Sequence, residues 1–425
     1  MQRSTKPIIK YLERQSDPLA ADIVAALSDF APVDHAVVIP AFMEGSDFIK
    51  RFCQQFKHQN VLCILVLNGP SDMTSAQQAL TLEAKNWLLN HCNLIKHTGP
   101  FDLWTCYDLQ VLSIDLVSQP IPKHGVGAAR KLGTDLCLWL YVHQVLKTPW
   151  VHTTDADVIC PDNYFEARSF KHDTAVALFP FQHQLLETDS PNHQLATLIY
   201  DSWLRYYTLA LRWAGSSWAF PTIGSTFLIH LHYYAQCHGF PQKEAGEDFY
   251  LLNKLAKLGT VTQLRSPTLI LSNRYSKRTP FGTGSSIDQI AHQQSNWNFY
   301  HPNIFALLKL WYKHRHMLFD TTDIVEFPPP LQAVLHALKI PQHLSHCRRQ
   351  SKNLAGFLKH LDQHFDAFLT LKFIHWLRKH YYSSVTYPQL LTLINESEVP
   401  FIAPGIKDIT HLNQWLIAKD GISST

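Results

Sequence analysis

Val61-Leu-Cys-Ile-Leu-Val-Leu67 is seven apolar residues in a row, and an uninterrupted run of that length is best accommodated as an interior strand covered on both faces. His35-Ala-Val-Val-Ile-Pro40 is a second run of the same kind, with a helical segment predicted between them over Ser46 to Lys57. Buried strands alternating with helices imply a mostly parallel sheet of the α/β class with helices on both faces. The pattern continues with a helix over Thr74 to His91, a strand over Val111 to Leu116, a helix over Gly127 to Leu146 and a strand that ends at Asp155. Leu19, Ile23, Val24 and Leu27 predict an amphipathic helix over Pro18 to Phe30. Beyond Asn296 the texture becomes aromatic and helical, over Ile304 to Leu318, Pro330 to Leu338, Asn353 to His380 and Tyr387 to Asn395. The division that results is an N-terminal helical segment (1–33), an α/β domain (34–296) and a helical C-terminal domain (297–425).

With 425 residues, 46% hydrophobic and 17% charged, the chain can bury a substantial core. Its net charge of +3, from 37 basic and 34 acidic residues, argues against nucleic acid as a partner. The eight cysteines carry no Cys-x-x-Cys pair and sit mostly in apolar runs, which predicts buried thiols in a reducing compartment in place of a disulfide frame or zinc site. Met1 to Arg14 is basic without the apolar centre of a signal peptide, and no 18 apolar residues run together, so a cytoplasmic protein is expected.

In an open α/β sheet, ligands bind beyond the carboxyl ends of the strands. Four loops should therefore meet at one site: Pro40-Ala-Phe-Met-Glu44, Asn68-Gly-Pro-Ser-Asp72, Lys123-His-Gly-Val-Gly-Ala-Ala-Arg-Lys131 and Asp155-Ala-Asp157. The last is the sharpest. A strand that breaks just past its end can fan Asp155 and Asp157 around one hard cation, and oxygen ligands of this kind suit Mn²⁺ or Mg²⁺. Glycines at 125 and 127 permit close backbone approach at a helix start, where Arg130 or Lys131 could neutralise a diphosphate.

The order of these motifs resembles the GT-A fold glycosyltransferases, in particular family 2, over residues 34 to about 290. Val38-Ile-Pro-Ala-Phe-Met-Glu44 is similar to the family's "VVIPAYNE" opening, with Met43 where Asn is usual; Val66-Leu-Asn-Gly-Pro-Ser-Asp72 is similar to "VDNGSTD", with Asn68 where Asp is common. Gly125 to Lys131 resembles the "G-x-x-x-ARN-x-G" helix start, Asp155-Ala-Asp157 the Asp-x-Asp pair, and Gly239-Phe240 with Glu247-Asp248-Phe-Tyr-Leu251 the "GGF…EDxxL" segment.

The resemblance implies a GT-A (Rossmann-like) fold and a metal-dependent transfer of a hexose from a UDP- or GDP-linked nucleotide sugar to a hydroxyl acceptor. It implies donor contacts at Pro40, Ala41, Glu44, Asn68, Arg130, Lys131, Asp155 and Arg278, a metal held by Asp155 and Asp157, and catalysis at Glu247 and Asp248. Asp248 would be the general base of an inverting reaction. A retaining enzyme with the same donor site and a catalytically silent binding or scaffold fold are the alternatives. Trp213 and Trp218 offer flat faces for an acceptor sugar, and a basic loop with Arg274, Lys277 and Arg278 is placed to close over the diphosphate. Phe373 to Tyr382 mixes basic and aromatic residues in the manner of an interfacial helix, which adds peripheral membrane contact to the expectations.

Overall fold

The computed structural model describes residues 5–27, 30–118, 125–167, 170–243, 246–276, 282–292, 297–321 and 327–420. The chain divides into two compact units, the first comprising Met1–Gln184, Thr222–Ser272 and Thr279–Phe281. Its strands are β1 (His35–Ala41), β2 (Val61–Leu67), β3 (Asn93–Thr98), β4 (Phe101–Cys106), β5 (Leu109–Asp115), β6 (Trp150–Thr153), β7 (Thr174–Leu178), β8 (Phe181–His183), β9 (Phe227–His230), β10 (Thr260–Gln263) and β11 (Leu269–Leu271). Nine of them form one sheet in the order β10-β7-β9-β6-β1-β2-β5-β4-β3, and β11 pairs with β8 separately.

The centre of that sheet, β6-β1-β2-β5, is parallel, as the uninterrupted apolar runs require. All seven residues of β2 are fully buried, and each large aliphatic side chain so removed from water contributes about 1.5–3 kcal/mol. The helix Val126–Val142 packs on β1 and β2. It does so at close range through Gly133, where an added Cβ would lie 2.4 Å from Val38 Cγ1.

Antiparallel pairing enters at β3, β4 and β9, making the sheet mixed. The β3–β4 hairpin was not evident in the sequence because β3, Asn93-Leu-Ile-Lys-His-Thr98, is an edge strand exposed at nearly every position and so carries no buried face to produce a pattern. This hairpin also overturns part of the cysteine reading. It sets Cys92 beside Cys106 as a disulfide, 14 residues apart in sequence and 4.9 Å between Cα atoms, a juxtaposition that depends on strand register and not on spacing. The other six cysteines are free and buried. The Pro161-Asp162 pair just beyond Asp157 opens no α-helix: a three-residue 3-10 turn, Tyr164–Glu166, follows it.

The N-terminal helices Lys6–Arg14 and Pro18–Ala26 belong to this first unit. A buried polar knot fastens them to the helix Val126–Val142. The Asp135 carboxylate accepts from Tyr11 Oη (2.6 Å), Tyr234 Oη (2.8 Å), Lys131 Nζ (2.7 Å) and the Asp17 amide (2.8 Å).

The second unit comprises Leu185–Pro221, Asn273–Arg278 and Gly282–Thr425. Its long helix Pro191–Ala214 opens where the Ser190 side chain accepts from the His193 amide and ends at Gly215, whose φ of 82° suits glycine. This helix packs against Thr283–His292, Pro302–His314 and Ile409–Lys419 around a core that includes Tyr206, Phe299, Phe305 and Trp311. The stretch expected to be one helix from Asn353 to His380 is two, Leu354–His364 and Ala367–His380. Asp366 restarts the second by accepting from the Leu369 amide at 3.0 Å. Among the described residues no helix is long and apolar enough to cross a membrane.

Candidate active site

Beyond the carboxyl end of β6 the chain turns sharply, Val158 N donating to Asp155 O at 3.1 Å, while Thr154 N still donates to Val38 O of β1 at 3.1 Å. The turn lifts Asp155 off the strand tip with 41% of its side chain open to solvent. There it meets Arg130, whose guanidinium is nearly all buried and joins two carboxylates distant in sequence. Nη2 pairs with Asp155 Oδ1 at 2.5 Å and Nη1 with Glu247 Oε1. Glu247 is the first residue of the helix Glu247–Leu255, entered through Gly246 at φ 75°. Its neighbour Asp248 turns both oxygens to backbone amides, accepting from Gly224 N at 3.0 Å and Phe249 N at 2.7 Å.

Gly224 completes the cradle. Its carbonyl accepts from Thr153 Oγ1 at 2.7 Å, and a Cβ at this position would stand 2.2 Å from Arg130 Nη1. The guanidinium, pinned by two carboxylates, therefore lies where only a glycine leaves room.

Three carboxylates thus surround one guanidinium, and the imbalance shows in their protonation. Burial pushes the Glu247 carboxyl up to about 7, Arg130 pulling it down and Asp248 pushing it up. Burial likewise raises Asp248, against the pull of Arg130. Burial also works against the Arg130 charge, yet Asp155, Glu247 and Asp248 more than offset it, so Arg130 holds its proton more tightly than a free arginine. A further cation would relieve the excess negative charge. Asp155 and half-buried Asp157 offer hard oxygen donors for one, and among the described residues no third carboxylate or imidazole closes a ligand set around them.

The loops after β1 and β2 form the neighbouring rim. Pro40 and Ala41 pair with Val66 and Leu67 in the parallel ladder, and the Asn68 amide donates to Ala41 O at 3.1 Å. Asn68 is buried and Glu44 half-buried. Between them Met43 adopts φ 56°, with its amide donating to Thr81 Oγ1 at 3.1 Å.

Lys131 requires a correction. Expected beside Arg130 at a diphosphate, it is buried with its ammonium on Asp135, on Tyr11 Oη (2.6 Å) and on Gln15 O (2.9 Å). One residue along a helix is about 100° of rotation, which turns Lys131 away from Arg130 and into the N-terminal helices. Arg278, Lys277 and Lys123 lie outside the described residues, and Arg274 belongs to the second unit. So do the two tryptophans: Trp218 Nε1 donates to Phe365 O at 3.0 Å, and Lys309 Nζ stands 3.9 Å over the Trp213 ring. In the proposed interfacial helix, Phe373, Ile374 and Leu377 are fully buried within that unit, while Arg378, Lys379 and His380 are exposed.

Sequence reasoning gave no role to Thr153, Arg51 and Gln55. Arg51 Nη2 donates to Val158 O (3.2 Å), and Gln55 Nε2 to Cys160 O (2.7 Å) and Asp162 Oδ1 (2.8 Å), so the helix Asp47–Gln55 grips the loop that carries both candidate metal ligands. Their i, i+4 spacing was the available signal. Phe48, Phe52, Thr154 and Cys160 line a shallow niche with Arg51 beside Asp155.

No family model matches this chain, and no curated protein does. The site's own geometry therefore carries the functional argument.

Proposed function

We propose that the protein is a GT-A fold glycosyltransferase that moves a hexose from a UDP- or GDP-linked sugar to a hydroxyl acceptor, with inversion. The observation that carries this reading is the convergence on Arg130 of Asp155 and Glu247, 92 residues apart. These carboxylates come from the two segments most similar to that family's Asp-x-Asp and Glu-Asp motifs, and they meet at the carboxyl end of the parallel strands, where α/β sheets bind ligands.

Asp155 and Asp157 would hold Mn²⁺ or Mg²⁺, which when bound supplies charge neutralisation for the donor's diphosphate. Arg130 orients Asp155 and offsets its charge. Asp248 is the proposed general base. Its two backbone donors fix the carboxylate while leaving lone pairs for an acceptor hydroxyl, and its raised pKa strengthens it as a proton acceptor. Glu247, poised near neutrality, buffers the charge of the cluster. Pro40, Ala41, Glu44 and Asn68 are the proposed rim for the nucleoside, and exposed Arg378 and Lys379 the proposed membrane-facing residues, in a cytoplasmic setting.

The same hydrogen bonds support a second reading. With both Asp248 oxygens engaged by backbone amides and Asp155 already paired to Arg130, the fold would bind a nucleotide sugar without turning it over. One experiment separates the two. Melting temperature is recorded with UDP-, GDP- and dTDP-sugars, with and without Mn²⁺, since a ligand specific to the native state raises it, and donor turnover is measured in parallel for wild type, Asp157→Asn and Asp248→Asn. Metal-dependent stabilisation with turnover lost in both variants is the expected result. Stabilisation without wild-type turnover establishes the silent binder, and no stabilisation by any donor overturns both readings.

A further inference from the structure

At the opposite end of the parallel strands from Asp155, three sulfurs meet. Cys53 lies in the last turn of the helix Asp47–Gln55, which leads toward the start of β2, Cys106 closes β4 just before β5 begins, and Cys92 follows the helix Ser75–His91. Their Sγ atoms all lie within 4.8 Å of one another, the one such group among the described residues. Cys92 and Cys106 are joined as a disulfide, while Cys53 is a free thiol.

We propose that in the dithiol state Cys53, Cys92 and Cys106 form a three-thiolate site for a soft, thiophilic cation, Zn²⁺ or Cu⁺. Thiolate bonds to zinc of about 2.3 Å set sulfurs about 3.7–4.0 Å apart around a shared ion. The trio needs the opening of one S–S bond and an approach of Cys53 by up to about 1 Å to reach that spacing, since Cys53 lies within 4.8 Å of both partners. Histidine and carboxylate are absent from this group, so the donor set is all sulfur and selects against Mg²⁺ or Mn²⁺. Access is through Cys92, half-buried where Cys53 and Cys106 are buried.

A dithiol reductant delivers two electrons and two protons to the disulfide and becomes a disulfide itself, leaving three thiols on the protein. Coordination then releases up to three protons to solvent as the ion takes three thiolates.

The test uses the full chain, reduced and freed of reductant under anaerobic conditions, and titrated with Co²⁺ as a spectroscopic probe. Thiolate-to-cobalt charge transfer is expected to saturate at one equivalent and to be displaced by Zn²⁺ or, in a separate titration, by Cu⁺. Oxygen-bound Co²⁺ gives no such band, so metal taken up at Asp155 and Asp157 does not imitate it, and the outcome is independent of the proposed transferase activity. Cys53→Ser should weaken Co²⁺ at least tenfold, while Cys347→Ser, in the other unit, should not. Because a serine at a buried position could fail to fold, wild type provides a second readout: Zn²⁺ should slow alkylation of Cys92 in the reduced chain at least tenfold. The proposal is overturned by absence of the charge-transfer band, by wild-type affinity in Cys53→Ser, or by unprotected Cys92.

Discussion

Replacing Glu247 by glutamine keeps the side-chain shape while removing the carboxylate that faces Arg130, and the structure sets what should follow. Burial and Asp248 raise the Glu247 pKa to about 7 from an ordinary 4.5, so between those values the native state holds a proton that the unfolded chain has already released. Linkage then makes native stability fall as pH rises through that window. The contribution is fully present below about 4.5 and gone above about 7. The pKa difference of about 2.5, at about 1.4 kcal/mol each, corresponds to about 3 kcal/mol. Urea unfolding of wild type and Glu247→Gln from pH 4.5 to 8.5 isolates Glu247 together with the part of the Asp248 titration coupled to it, because groups remote from the cluster titrate alike in both proteins and cancel in the difference. Wild type should lose about 3 kcal/mol relative to the variant across the range. A difference that stays flat, or one that grows in favour of wild type at high pH, would refute the reasoning. The second outcome would mean that attraction to Arg130 outweighs burial.

Gly224→Ala should cost about 1–3 kcal/mol, read from the urea midpoint, because its Cβ would displace a guanidinium that two carboxylates hold in place; an unchanged midpoint would show that Arg130 can swing aside. Lys131→Met leaves the Asp135 carboxylate buried without its cation and should destabilise by about 3–5 kcal/mol. Donor-induced stabilisation should survive that change, and its loss would restore Lys131 to the diphosphate site. Met43→Asn should raise stability by about 1 kcal/mol, since asparagine tolerates the left-handed backbone that methionine occupies at a cost; no gain in unfolding free energy would place the strain elsewhere.

The parts of the fold legible in the sequence are those with an internal periodicity or a complete absence of one. β2 was plain because no polar residue interrupts it, and the start of the helix Ser75–His91 because Thr74 with Gln77 forms a capping box. Edge strands were not, since exposure at β3 removes the very constraint that writes a pattern. The helix Pro191–Ala214 falls within the stretch assigned to the α/β domain yet shares a unit with helices nearly 200 residues later, and linear order carries no sign of that. At the candidate site the acids and Arg130 were found by motif, whereas Thr153 and the hold of Arg51 and Gln55 on the metal-ligand loop were not. Gly224 is defined by the bulk of Arg130, and Thr153 by a carbonyl 71 residues away. Lys131 misled because adjacency in sequence to Arg130 means divergence on a helix.

The buried knot around Asp135 has a practical consequence for any shortened version of this protein. Tyr11 and Asp17 each place a donor on that carboxylate, and Gln15 takes up the Lys131 ammonium. A version trimmed to the first strand would strand an acid and a base in the interior of the same helix that presents Arg130. Such trimming should fail first as insolubility in expression, long before any assay of chemistry could be run.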